Sequence, residues 1–378
     1  MPKSLAANMR RMQRMMRPAK LTKKSQSILI ASAFAPFTAA TPKRGKAGNS
    51  QATAAGHAFG TMVKNMRVAQ GMIPGNRQAP ITRPVAPRVP QGAQYLARQH
   101  RCAQGTRGYQ LYLPASAPKA PRGLILMLHG CGQNPDDFAI GTHMNAVAEK
   151  HGLAVAYPAQ TQRHNARGCW NWFVARHQMR GMGEPAILAS LTRKLMRELD
   201  VPRDQVFVAG LSAGGAMAAI LVDVYPDVFA AAGIHSGLAR GAARDVSSAV
   251  GAMRSGAPGG SAPAVIRAKH SPVRRIIFQG DADGTVHLSN ASHLVTAALG
   301  DAPTATRITR NAVRKVGYTR SEFSGDGAPG ALELWLLQGA GHAWSGGRVA
   351  GSYTDANGPD ASTQMVRFFL AGGADKAR

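Results

Sequence analysis

The sequence predicts an α/β fold, with a mostly parallel sheet flanked by helices and a basic, partly disordered N-terminal arm in front. Three observations predict it. Residues 206–221 read VFVAGLSAGGAMAAIL, a strand-like apolar run, a glycine-flanked serine and a helix-forming run. Short apolar runs alternate with helix-like stretches from Tyr109 to Leu336. The texture also changes near residue 94, before which Gly, Ala, Pro and basic residues dominate. With 378 residues and 44% hydrophobic content, the chain can bury one large core and still carry an appendage. Residues 1–93 read as arm and linker, 94–372 as the folded domain and 373–378 as a tail.

In chain order, Met9, Met12 and Met16 recur at helical spacing, with Arg10, Arg14 and Arg17 on another side. That pattern suits either a basic turn lying on a surface or a solvated tail. The apolar run at 27–35 is well short of the ~20 residues a spanning helix needs. As a signal sequence it follows an unusually long basic lead, and Thr38-Ala39-Ala40 is a loose cleavage site. Pro80, Pro84, Pro87 and Pro90 mark an extended linker. Strands are expected at Tyr109–Leu113, Gly123–Leu128, Leu153–Pro158, from Val206, at Val228–Ile234, at Arg274–Gly280 and at Leu332–Leu336. The unbroken apolar run at 123–128 predicts burial on both faces. Helices are expected over 143–151, 184–199 and from Ala216. Residues 239–270, rich in Gly, Ala, Ser, Pro and Arg, read as an insertion or cap.

Charge is strongly skewed, with 46 Lys+Arg against 19 Asp+Glu and a net +27. No acidic residue precedes Asp136, so the excess belongs mainly to the leading third. A basic arm favours an anionic granule, membrane or nucleic acid as partner. It lacks the interleaved aromatics of a base-stacking module, which argues against nucleic acid. Cys102, Cys131 and Cys169 are too few for a disulfide framework, although one bridge is possible, and no CxxC occurs.

Gly210-Leu211-Ser212-Ala213-Gly214 fits G-x-S-x-G in its strand–turn–helix setting, which marks Ser212 as a candidate nucleophile. A serine hydroxyl needs a base to take its proton and a third group to orient that base. In α/β-hydrolases the order is serine, acid, histidine. The acid is read as Asp283 in Gly280-Asp281-Ala282-Asp283-Gly284-Thr285-Val286, with Asp281 as the alternative. The base is read as His342 in Gly339-Ala340-Gly341-His342-Ala343-Trp344, since His287 and His293 follow Asp283 too closely. The oxyanion donors are assigned to the backbone N–H groups of Ala213 and Cys131. His129 then braces the loop, and Cys131 is alternatively an inert buried thiol. Such chemistry needs no metal or organic cofactor.

The chain resembles the poly(3-hydroxybutyrate) depolymerase family of esterases. The matching stretches are Leu128-His129-Gly130-Cys131-Gly132-Gln133, Cys169-Trp170-Asn171-Trp172-Phe173, Gly210–Gly215 and Gly341-His342-Ala343-Trp344-Ser345-Gly346-Gly347. Gly351–Asp355 and Gly358–Ala361 look similar too. The resemblance covers about residues 95–372. It implies an α/β-hydrolase that cleaves polyester or oligomer esters through Ser212, His342 and Asp283. Related branches include feruloyl and acetylxylan esterases, the alternative reading. The resemblance also implies a Cys131–Cys169 link in an oxidising compartment. Trp170, Trp172 and Trp344 are expected to contact substrate, with core packing expected of at least one, Trp172 foremost. The front of the chain, an arm in place of a clear secretion signal, points to an intracellular, granule-associated enzyme; the alternative is secreted or periplasmic. A reading from another class is a granule- or nucleic-acid-binding protein acting through the arm.

Overall fold

The computed structural model describes residues 86–256, 273–300, 303–314, 316–325 and 328–372. The Met/Arg turn, the apolar run at 27–35, most of the linker and the second half of the 239–270 segment lie outside the described residues.

The described chain builds a ten-stranded sheet in the order β1-β2-β4-β3-β5-β6-β7-β10-β9-β8. The strands are β1 (Gln94–Cys102), β2 (Gly105–Leu113), β3 (Gly123–Leu128), β4 (Leu153–Pro158), β5 (Val206–Leu211) and β6 (Ala231–His235). They continue with β7 (Arg274–Gly280), β8 (Ala305–Val313), β9 (Val316–Gly325) and β10 (Ala328–Leu337). From β4 across to β10 the neighbours run parallel. Antiparallel pairs close both edges, β1–β2 on one side and β8–β9 on the other. Strands β3, β4 and β5 are buried at every position, as their unbroken apolar sequences require.

Helices cover both faces. On one lie α1 (Pro135–Thr142), α2 (Met144–His151) and α7 (Ala361–Ala371), whose Phe138, Met144, Met365 and Phe369 share a core with Ile125 and Phe207. On the other lie α3 (Gly183–Glu198), α4 (Ala213–Val224), α5 (Val246–Ser255) and α6 (Ser289–Leu299), packed with Trp170, Val208 and Ile277. Local chemistry sets the ends. Asn134 caps α1 by accepting the Asp136 and Asp137 N–H groups, with a proline opening the helix. Asp245 and Ser248 form a capping box on α5. Gly152 closes α2 in the left-handed conformation.

Three strands of this sheet escaped the pattern reading: β1, β8 and β9. β1 and β8 are half-exposed edge strands, and β8 carries exposed Arg307 and Arg310 where a core strand would carry apolar groups; β9, one place in, buries the polar Thr319 and Ser321 beside Phe323. Charge on an edge strand discourages pairing with another chain, and it also masks the strand from an apolar search. The strand expected at 228–234 begins instead at Ala231, because Val228 and Phe229 belong to the preceding turn. The predicted insertion contains helix α5 in its described part. Among the described residues no helix is long and apolar enough to cross a membrane.

Where β5 meets α4 the backbones touch. A Cβ on Gly214 would fall 2.0 Å from the Leu128 carbonyl oxygen, and one on Gly210 would fall 2.4 Å from Gly214. Gly214→Ala is therefore expected to destabilise the domain by about 3 kcal/mol. Gly251, exposed in α5 with nothing within 4 Å of an added Cβ, gives the opposite sign. Gly251→Ala should stabilise by about 0.5–1 kcal/mol. Denaturant unfolding of both variants measures the contrast.

Candidate active site

The parallel strands end together at one edge, where this architecture gathers its reactive groups. Ser212 stands between β5 and α4 with φ 57° and ψ −119°, a strained corner for a residue with a side chain. Its N–H donates to the carbonyl of His235 at the end of β6 (2.9 Å). The residue is 5% exposed, so the hydroxyl sits in a closely walled recess.

Asp283 and His342 come from loops after β7 and β10, which are neighbours in the sheet. Those loops are clamped by backbone: Ala282 N–H donates to Ala340 O (3.1 Å) and Asp281 N–H to Leu337 O (3.0 Å). The two candidate acids separate cleanly. Asp281 Oδ1 accepts the Gly339 N–H at 2.6 Å and ties the turn. Asp283 Oδ2 lies 2.8 Å from His342 Nδ1. Its Oδ1 accepts the Thr285 and Val286 N–H groups, and Gln279 Nε2 donates to Oδ2. Burial alone would raise the Asp283 carboxyl; the His342 charge and hydrogen bond, helped by those N–H donors, outweigh it and hold it below the usual range. The acid therefore stays ionised, and His342 carries its proton on Nδ1, leaving Nε2 as the basic nitrogen. Among the described residues no hydrogen bond joins Ser212 Oγ to His342. The two segments meet instead through His235, whose Nε2 accepts the Ser345 N–H (3.1 Å).

The loop after β3 lies against the serine. A Cβ on Gly130 would be 3.7 Å from the Ser212 Cβ. Three of its four successive N–H groups are engaged: Gly130 to Gln133 Oε1, Gly132 to Arg167 O and Gln133 to Gly130 O. The Cys131 N–H has no such partner among the described residues. Cys131 is bonded to Cys169, so the inert-thiol alternative does not apply. His129 braces the loop: its Nδ1 donates to Gly130 O (2.8 Å) and its Nε2 accepts the Gln160 N–H (3.1 Å).

Trp170, Trp172 and Trp344 are all in the core, the place expected of Trp172 foremost but not of all three. Trp170 is 0% exposed and donates to His129 O (3.0 Å). Trp344 is 1% exposed, packs edge-on against Phe138 and donates to Ser362 Oγ (3.1 Å). Trp172, at 4%, packs on Phe173. Each indole has its flat faces covered, so none is free to lie against a polyester chain.

Three other side chains frame the site and were not singled out from sequence. Gln133 donates to Asp137 Oδ2 and to Ser352 O and Oγ, lashing the loop after β3 to the segment after His342. Tyr353, half-buried, sets its ring edge-on to His342 with centroids 6.4 Å apart. His235 is fully buried between Phe278 and Trp344. A histidine closing a central parallel strand is itself a sequence signal, since strand ends line the site.

A serine corner at the carboxyl edge, with an Asp–His pair two and three strands away, defines an α/β-hydrolase. A solved acetyl xylan esterase from Aspergillus awamori superposes with a TM-score of 0.54 at 20% identity, over 66% of this chain and 93% of that one, a likeness of fold. The sequence is matched over residues 107–324 by the family model described as Esterase PHB depolymerase, and the chain belongs to that family of esterases. Poly(3-hydroxyalkanoate) depolymerase C of Paucimonas lemoignei is 30% identical over 190 residues, 48% of this chain and 44% of that protein. Acetylxylan esterase A of Talaromyces purpureogenus is 29% identical over 201 residues, 50% of this chain and 51% of that protein. The chain thus spans about half the length of these curated relatives or less.

Two buried histidines make stability depend on pH. Burial lowers His129 from 6.5 to about 4 and His235 from 6.5 to about 3. The unfolded chain binds these protons first, so stability is full above pH 6.5 and falls as pH drops toward those values. Each histidine is expected to contribute a loss of up to about 1.4 kcal/mol per pH unit. Urea unfolding between pH 7 and 4 measures the slope.

Proposed function

We propose that the chain is a serine esterase that hydrolyses poly(3-hydroxybutyrate) or its oligomers through an acyl-enzyme. The observation that carries this is the 2.8 Å Asp283–His342 bond at the sheet edge that also bears the Ser212 corner. Ser212 Oγ attacks the ester carbonyl while His342 Nε2 takes its proton. Asp283 holds the imidazole in the required tautomer and stabilises the imidazolium. The unengaged Cys131 N–H and the Ala213 N–H, at the first turn of α4, receive the oxyanion. His342 returns the proton to the leaving alkoxide, then activates the water that frees the acyl group. The Ser212–His342 hydrogen bond forms when substrate closes the recess, as catalytic contacts commonly tighten on binding.

Substrate choice rests on family membership. The acetylxylan esterase relative keeps a plant-wall ester as the second reading. The Cys131–Cys169 bond supports a secreted or periplasmic setting over the intracellular one, since disulfides persist in oxidising compartments. The reading of the basic arm as an anionic-surface binder involves residues outside those described.

Ser212→Ala is expected to abolish release of 3-hydroxybutyrate from soluble oligomers; unchanged turnover would refute the mechanism. Asp283→Asn should lower kcat about ten-thousand-fold, because the amide favours the wrong tautomer of His342. Asp281→Asn keeps its acceptor oxygen and should stay near wild type. Faster release of acetate from acetylated xylan than of hydroxybutyrate would select the plant-wall reading.

A further inference from the structure

We propose that His235 is a positioning residue that fixes the separation between the nucleophile corner and the base loop. The inference rests on the serine mechanism proposed above and concerns a side chain which that mechanism does not use.

His235 serves two segments at once. Its carbonyl accepts the Ser212 N–H at 2.9 Å. Its ring nitrogen Nε2 accepts the Ser345 N–H at 3.1 Å, three residues beyond His342. Because Nε2 accepts, the ring proton sits on Nδ1 and donates to Ser236 Oγ (3.2 Å). The ring is held flat between Phe278 and Trp344, with centroids 5.6 and 5.3 Å away. Phe278 belongs to β7, which leads to Asp283, and Trp344 follows His342. One residue thus touches the segments that carry all three reacting groups, the serine corner through its backbone carbonyl and the other two through its ring.

The backbone around it is set for this task. Ser236 takes φ 49°, a conformation that side chains rarely adopt, and its N–H donates to Phe278 O (2.9 Å). A Cβ on Gly237 would fall 2.9 Å from Gly215, so the turn after β6 presses on the start of α4. The imidazole stays neutral through the working pH range, because burial, with the His342 charge adding to it and the Asp283 charge opposing, lowers it to about 3. A neutral ring keeps Nε2 as an acceptor and adds no charge beside the Asp–His pair.

Removing the acceptor would leave the Ser345 N–H unpaired in a residue that is 2% exposed. The segment would then shift to find a partner, and His342 would move relative to Ser212. A misplacement of this kind affects the reaction geometry more than substrate capture.

The experiment compares wild type, His235→Leu and His235→Gln on a short-chain p-nitrophenyl ester, with melting temperature recorded for each. Leu fills the volume without an acceptor, while Gln Oε1 can reach the Ser345 N–H. His235→Leu is expected to lower kcat about 100-fold with KM within about twofold. His235→Gln should recover at least about tenfold of that loss, consistent with one restored hydrogen bond. Equal activity of the two variants, or loss of activity that follows melting temperature alone, overturns the proposal. Should the Leu variant not fold, Ser236→Ala replaces it, by removing the hydroxyl that holds Nδ1. A fall in kcat of about fivefold at constant KM supports the role, and an unchanged kcat overturns it. Phenylmethylsulfonyl fluoride labelling of the wild type keeps the two readings apart. Failure to label Ser212, with Ser212→Ala still active, overturns the serine mechanism itself and the positioning role with it.

Discussion

Backbone pressed on backbone beneath Ser212 is the constraint from which the rest follows. The Gly214 Cα lies so close to the end of β3 that no side chain fits between them. That contact brings the loop after β3 onto the serine and gives the recess its floor. A second contact of the same type joins β7 to the base loop, where a Cβ on Gly280 would fall 2.2 Å from Ala340 O. Two glycines, one in the first turn of α4 and one at the carboxyl end of β7, thus set the spacing of the candidate site. Neither contributes a reactive atom.

Behind the loop after β3 stands a buried polar network in place of more hydrocarbon. Glu184, 2% exposed, accepts from Arg107, from Asn171 through its backbone and side chain, and from Gln160. Gln160 passes the connection to His129, and Trp170 donates to the same histidine's carbonyl. Directional bonds fix orientation in a way that apolar packing does not, and each buried polar group here costs stability unless it is paired. The Cys131–Cys169 bond adds a covalent strut to the same pair of loops.

The central sheet was legible because β3, β4 and β5 are apolar along their whole length, β7 carries Ile276-Ile277-Phe278, and all four lie between turn signals. The serine corner was legible because glycines flank it at fixed offsets. Asp283 ranks above Asp281 in the sequence because the valine three residues on can re-enter the core; the structure buries Val286, and its N–H donates to Asp283 Oδ1. Edge strands were not legible, because exposed arginines hide their period. The start of α1 carried its signals in Asn134-Pro135-Asp136-Asp137, yet it reads equally well as a turn. Tryptophan misled for a physical reason: large aromatic faces suit both a polyester surface and a core, and sequence alone does not say which side of a loop faces water. The ring contact of His235 with Ser345 was hidden because the two lie 110 residues apart.

Helix α7 ends the described fold, yet it supports elements near the site. A Cβ on Gly233 in β6 would strike Met365 at 2.4 Å, and Ser362 links Trp344 to the Thr142 carbonyl. During synthesis the serine corner emerges well before this helix, followed much later by the histidine and its support. Under the proposed mechanism a nascent chain presents Ser212 before His342, and before residues 361–371 have docked behind Trp344. Timing of this sort is inherent in a candidate site whose serine precedes its histidine by 130 positions.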